Sequence, residues 1–395
     1  MHSFFKAFTF FAALTFGCAT TASATPHVSD LRFSGLKYPN SKAEGEKPVL
    51  SSVLGPGQGQ DLGALPGFSE LLPFVLPSPD QEEAGSCLYM SLTGVAEWWL
   101  ARLSPREPRV SEGPLDLSER HLMNLAGIEE SGNGVANWKT DSIRLFNARQ
   151  EGWRNRSYRF TKGWYRDSAS GYVPAAPNSA GAAYDTSYNW IDGTSTAGQI
   201  EKVRLPNFSP NVLFADPESN QWNVGVMPSE ITQRVKNLLQ RNRAPVHVIY
   251  NHYGYWHAVF IVGYDDAGDT QGCPFVKGAR AYYPEEVADL KKELAETVDQ
   301  SRRETLLARI AKFETTIRKL DRSIAARGEC NARGVFYVRD SIYGVAGEPL
   351  YDYDRSRTGE ESPYSKPIIY REYRWLEHFA NHATQILVTS AGENL

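Results

Sequence analysis

The feature that most restricts how this chain folds is the charged stretch from Pro284 to Ala326. Val287, Leu290 and Leu294 recur in steps of three and four, and Leu306 (or Leu307), Ile310, Phe313, Ile317, Leu320 and Ile324 do the same. Such spacing lines one face of a helix with apolar side chains. Asp299-Gln300-Ser301 interrupts the two runs. An antiparallel helical hairpin is therefore expected, with one continuous long helix as the alternative. Cys273 and Cys330 flank the stretch, at positions suited to a disulfide across its base. Segments of strand character lie on both sides: Ala244 to Tyr250, Trp256 to Tyr264, Gly334 to Arg339 and Thr384 to Val388. Ser142 to Gly152, Pro228 to Arg243 and Tyr370 to His378 carry helical patterns. From about Asn155 to Asn223 few regular elements are expected.

A length of 395 residues allows one large domain or two modest ones. A net charge of -4 gives no reason to expect a nucleic-acid partner. Residues 1–24 read as a signal peptide, with Lys6, the apolar run Ala7 to Gly17 and the small residues Ala22-Ser23-Ala24 before the cut. The apolar run is too short to span a membrane. The protein is thus expected to be secreted or periplasmic, with lipid anchoring through Cys18 as the alternative. Without Cys18 three cysteines remain, Cys87, Cys273 and Cys330, which suggests one pair and one free thiol in an oxidising compartment. Residues 25–75 are rich in Gly, Pro and Ser and read as an extended arm or linker, leaving 76–395 as the main domain.

The candidate free thiol sits in Gln81 to Leu100. A polar approach ends at Ser86-Cys87, and Leu88, Leu92, Val95, Ala96 and Trp99 then recur at helical steps. Cys87 is expected in the first turn of that helix, where unpaired backbone N–H groups and the helix dipole favour an anion. A thiolate is the nucleophilic form of cysteine.

Gln81, six residues before Cys87, together with Gly85-Ser86-Cys87, resembles the papain-like cysteine peptidases. Leu88 stands where that family usually has Trp, and Ala84 where it has a second cysteine. His257-Ala258-Val259-Phe260-Ile261-Val262-Gly263-Tyr264 resembles the family's His-Ala-Val-x-x-Val-Gly-Tyr. Asp340, in Arg339-Asp340-Ser341, occupies the position of the family's asparagine. Leu117-Ser118-Glu119 resembles the stretch after the catalytic helix, and Gly132-Asn133-Gly134 the glycine-rich wall that holds substrate backbone. The resemblance implies an α+β fold of two lobes, one helical and one rich in β-strand, with the hairpin 274–329 as an insertion. It implies Cys87 as nucleophile, His257 as general base and acid, Asp340 as orienter and Gln81 as oxyanion donor. Gly132, Asn133, Gly134 and Trp256 are expected to bind substrate.

The implied function is thiol-dependent hydrolysis of peptide bonds without cofactor or metal, and no Cys-x-x-Cys or His-Glu-x-x-His spacing occurs. The alternatives are a non-catalytic relative that binds a peptide or partner, and an amidase or transferase of the same Cys-His type. If Asp340 only orients His257, Asp340→Asn should keep substantial activity. About eight residues of strand separate His257 from the insertion, which at roughly 3.4 Å per residue puts the hairpin on the order of 25 Å from the thiolate. It is therefore expected to be a docking arm for another protein, a second copy or the cell envelope.

Overall fold

In the computed structural model the described residues are 65–79, 87–104, 106–107, 115–119, 122, 151–153, 165–168, 171–174, 202–215, 224, 227–270, 272–342, 350–351, 365–366 and 368–388. The expected signal peptide, Cys18, Gln81 and Gly132 to Gly134 lie outside them. The apolar, β-branched segments pair into one seven-stranded antiparallel sheet. Its strands are β1 (Phe208–Ala215), β2 (Val246–His252), β3 (Tyr255–Asp265), β4 (Val335–Arg339), β5 (Leu350–Tyr351), β6 (Ile368–Glu372) and β7 (Ala380–Val388). The order across the sheet is β5-β6-β4-β3-β2-β7-β1. Register sets Tyr250 opposite His257 and Phe260 opposite Arg339. Among the described residues five α-helices accompany it: α1 (Cys87–Leu103), α2 (Ile231–Asn242), α3 (Pro274–Glu296), α4 (Gln300–Arg327) and α5 (Tyr373–Phe379). The architecture is α+β, and one continuous core joins α1, the sheet and the α3–α4 pair.

Three expectations are corrected here. Tyr370 to Glu372 are strand rather than helix, because β6 is buried throughout and pairs with β4, leaving only Tyr373–Phe379 to form α5. Glu151 and Gly152 belong to a short strand paired with Lys202–Arg204, where a helix was expected. The last part of the stretch read as a linker is core: Leu65, Leu71, Leu72 and Val75 are buried, and Phe68 exchanges backbone hydrogen bonds with Tyr264 at 2.8 and 3.0 Å. Apolar residues spaced along an extended segment show no helical period, so their burial is not visible in the pattern.

α1 is buried on every face from Leu88 to Ala101, as befits a helix with apolar side chains all round. It crosses one face of the sheet, where Ser91 meets His247 at 2.8 Å and Gly94 faces Phe260 and Arg339. A Cβ at Gly94 would collide with the Arg339 guanidinium, so glycine is needed for that close approach. The Arg339 side chain fastens the helix to the sheet. Its Nε donates to Leu76 O at 2.9 Å, its Nη2 to Pro77 O at 3.0 Å and its Nη1 to Met90 O at 3.3 Å, and Nη2 lies 3.3 Å from buried Glu97.

The inserted stretch is a hairpin, and the continuous-helix alternative is excluded: Thr297, Val298 and Asp299 separate α3 from α4, and Asp299 caps α4 by accepting from Arg302 N at 2.7 Å. Ion pairs Glu286–Arg309, Lys291–Glu314 and Glu293–Arg302, with Arg280–Glu329 at the base, fix the antiparallel register. Cys273 and Cys330 lie at disulfide distance across that base, with Cα atoms 5.7 Å apart.

The hairpin is not held away from the sheet. After β3 the chain turns back, and left-handed Cys273 followed by Pro274 directs α3 along the sheet face opposite α1. Phe275 thereby stacks near Tyr250, His252 and Tyr253, with ring centroids 5.7, 5.4 and 5.0 Å away. The Tyr253-Gly254 turn between β2 and β3 is gripped from the hairpin side. Tyr253 donates to Phe275 O at 3.1 Å, and Tyr283 donates to Asn251 at 2.8 Å. Gly254 has φ +99°, and any Cβ there would come within 2.6 Å of the Phe313 ring. The straight-strand extrapolation failed because it followed the chain outward and not its return.

Phe313→Ala is expected to lower stability by about 3 kcal/mol, the usual cost of emptying a buried aromatic site. Urea unfolding measures it, and amide exchange should rise locally at Asn251 to Gly254.

Candidate active site

Three separate elements bring the expected catalytic side chains together. Cys87 opens α1 and is partly exposed, the only free cysteine among the described residues. Its sulfur lies 3.9 Å from the Trp256 carbonyl oxygen, a weak S–H donor contact. His257 follows at the start of β3, its side chain fully buried. His257 Nε2 and Asp340 Oδ1 are 2.5 Å apart, and the other Asp340 oxygen lies 3.2 Å from Arg371 Nη2. The Ile342 N–H donates to Asp340 Oδ1 at 3.1 Å, which holds the carboxylate in place at the end of β4. With Nε2 occupied, His257 Nδ1 makes no hydrogen bond among the described residues. The side chain thus presents one nitrogen to its orienting group and keeps the other for the Cys87 side.

Electrostatics favours a charged imidazole. Burial works against the imidazolium, but the Asp340 charge and hydrogen bond, followed by Cys87, outweigh it and push His257 up to about 9. Burial likewise works against the Asp340 carboxylate, yet His257, then Arg371 and the Ile342 N–H, hold it below the usual carboxylate value. The neighbouring histidines behave oppositely. Burial, followed by the charges of His257 and Arg371, holds His252 well below its ordinary value, and burial with His382 nearby takes His247 down to about 3.

Sequence reasoning brought out Cys87, His257 and Asp340, and the structure joins them. Trp256, expected to bind substrate, lies beside Cys87 with its side chain packed partly against the core. The expected roles of Gln81, Gly132, Asn133 and Gly134 fall on residues outside those described. Missed were Arg371, Tyr250 and the position of His252. Arg371 is fully buried, its Nη1 donates to the Tyr250 hydroxyl, and that hydroxyl meets His252 Nδ1 at 2.8 Å. The signal for Arg371 was an arginine in the apolar run Ile368-Ile369-Tyr370, where a lone charge in a strand asks for a partner. Among the described residues no cluster of three or more His, Cys, Asp or Glu side chains is arranged to hold a metal ion.

No protein-family model, curated protein or solved structure matches this chain.

The ordinary histidine value is 6.5 and that of His257 is about 9. A folded value above the unfolded one means that the stabilisation is fully present below pH 6.5 and is lost as pH rises through about 9. Ring-nitrogen NMR of labelled protein is expected to show one histidine titrating near pH 9, absent in His257→Gln. The thermal midpoint of the wild type should fall toward that of His257→Gln over the same interval. A midpoint near 6.5 for that signal would show that Asp340 does not hold the imidazolium.

Proposed function

We propose that this chain is an exported papain-like cysteine peptidase that hydrolyses peptide bonds through Cys87. The observation that carries the reading is the convergence of Cys87, His257 and Asp340 from α1, β3 and the end of β4, with Asp340 bonded to one imidazole nitrogen and Cys87 close enough to raise the imidazole. A structural histidine needs no thiol beside it, and a structural thiol needs no imidazolium. The reading takes α1 as belonging to the helical lobe and the antiparallel sheet as the β-rich one. Export is supported by the disulfide-distance pair Cys273 and Cys330. No helix among the described residues is long and apolar enough to cross a membrane.

His257 accepts the thiol proton, and the Cys87 sulfur attacks the scissile carbonyl carbon. The oxyanion is received by the Cys87 backbone N–H with Gln81, the donors implied by the resemblance. As the C–N bond breaks, His257 gives its proton to the departing amine. Water then attacks the thioester carbon as His257 takes the water proton, the C–S bond breaks to release the carboxylic product, and His257 returns that proton to the sulfur. Asp340 fixes the ring so that the same nitrogen serves both transfers.

Cys87→Ser and His257→Ala are each expected to lower kcat/KM on a fluorogenic peptide mixture by at least about 10³-fold. Iodoacetamide should label Cys87 in the wild type far faster than in His257→Ala, with Cys273 and Cys330 unlabelled until reduced. Equal slow labelling in both proteins and no hydrolysis would favour the non-catalytic reading.

Replacing Tyr282 to Arg327 by a short Gly-Ser turn removes Tyr283 and Phe313, which grip the turn before His257. The sequence alone leads one to expect activity within a few-fold of wild type. With these contacts, a loss of about a hundred-fold in kcat/KM is expected, with circular dichroism reporting the remaining fold. Activity within a few-fold would show that the brace is dispensable.

A further inference from the structure

We propose that Arg371 is a positioning residue of this site: by pairing with buried Asp340 it keeps the Cys87–His257–Asp340 constellation free of net charge, so that an aspartate serves where the resembled family has a neutral asparagine. The inference rests on the reading of Cys87 as nucleophile given above.

A thiolate, an imidazolium and a neutral amide sum to zero. Replacing the amide by a carboxylate adds one negative charge at a place where the His257 and Asp340 side chains have no exposed surface. An uncompensated buried charge is strongly unfavourable. It would also hold the proton on His257 too firmly for easy release to a leaving amine. The Arg371 guanidinium supplies the missing positive charge, 3.2 Å from the carboxylate oxygen that His257 does not use.

That guanidinium is placed by its surroundings. It lies 5.0 Å from the Tyr250 ring centre, 5.0 Å from Phe275 and 5.2 Å from Trp375, and Nη1 donates to the Tyr250 hydroxyl. Aromatic faces attract a cation without neutralising it. The cage therefore holds the Arg371 guanidinium beside Asp340 with its charge intact, and the same charge also acts on buried Glu372. Tyr250 also turns its ring edge to His257, with centroids 5.5 Å apart. Among the described residues, the groups that face His257 are Cys87 from α1, Tyr250 and His252 from β2, Asp340 from the end of β4 and, one step further, Arg371 from β6. α3 contributes the uncharged Phe275 ring. Of the cations in this group only Arg371 is permanently charged.

This pairing reverses the expectation for Asp340→Asn. Restoring the family residue alone leaves Arg371 buried without its carboxylate, so activity should fall rather than persist. The test is a cycle of Asp340→Asn, Arg371→Met and the double variant. Each single change should lower kcat/KM by about a hundred-fold or more, and the double variant should recover to within about ten-fold of wild type, a coupling that independent sites do not show. The His257 titration should move up in Arg371→Met and down in Asp340→Asn, and the basic limb of the pH–rate profile with it. Arg371→Lys keeps the charge without the fork and should leave the titration near that of wild type; it serves if Arg371→Met does not fold by circular dichroism. An unmoved titration in Arg371→Met, or a double variant as impaired as the two losses multiplied, would overturn the proposal. Opposite shifts in a protein whose wild type cleaves no peptide would support the pairing and overturn the peptidase reading instead.

Discussion

The structure depends on what two consecutive residues, Arg339 and Asp340, do on opposite sides of the sheet. Successive side chains of a strand point to opposite faces, so the end of β4 sends one group to α1 and the next to His257. Arg339 holds the carbonyls of Leu76, Pro77 and Met90 and the Glu97 carboxylate. Asp340 holds His257 and Arg371. The helix that carries Cys87 and the strand that carries His257 are thus fixed to the same two residues of backbone. A nucleophile and its base on separate elements need such a common anchor, because small errors in their separation cost rate steeply. Buried ion pairs are poor sources of stability compared with apolar packing. Their retention at this position fits a requirement for geometry.

The same reasoning separates two kinds of buried charge in the molecule. Glu97 is fully buried beside Arg339, and burial drives its carboxyl well above the ordinary range, against the opposing pull of Arg339. Burial and Asp116 push Glu119, close by, up to about 8. These carboxyls lie on the α1 side and lean toward their neutral forms. Asp340 faces the opposite way, and there His257 and Arg371 overcome the desolvation. A carboxylate with two cationic partners stays ionised where one with a single partner, spread over several acidic neighbours, does not. The carboxylate beside the histidine is thus held charged by its partners, whereas burial raises the carboxyls on the α1 side.

Much of this was legible in the sequence, and the reason differs from element to element. The thiol, the histidine and the aspartate stand out because each sits at the edge of a strongly patterned segment, where a polar residue interrupts an apolar period. The hairpin stands out because its period persists for some forty residues. Arg371 carried only the weak mark of a charge in an apolar run, and its partners, Asp340 and Tyr250, lie in strands far away in the chain, so the run could not say what the arginine meets. β1 was hidden for a different reason: its residues Ser209, Pro210 and Asn211 read as loop, and pairing with β7 at the sheet edge overrides that preference. The burial of Leu65 to Val75 and the return of Phe275 to the histidine face are tertiary facts with no periodic signature at all.

The hairpin shows how such a tertiary fact changes the meaning of a legible element. Viewed along the chain it is an appendage between two cysteines, and appendages of this kind suggest partners. Viewed in the fold, its helices cover the Tyr253-Gly254 turn, and Phe275 forms one wall of the Arg371 cage. A two-residue turn with both residues at positive φ leaves the backbone little freedom of its own. Covering it with Phe313 and tying Asn251 to Tyr283 removes what is left, three residues before the imidazole. The closure between Cys273 and Cys330 then has a purpose beyond joining two helix ends. In the chain-entropy model a closed loop of 57 residues contributes roughly 4 kcal/mol against unfolding. The link itself lies at the start of α3, where Phe275 meets His252 and Arg371. A disulfide placed there sits beside the ring that borders both His252 and Arg371, so the insertion belongs to the surroundings of the buried histidines rather than to the periphery.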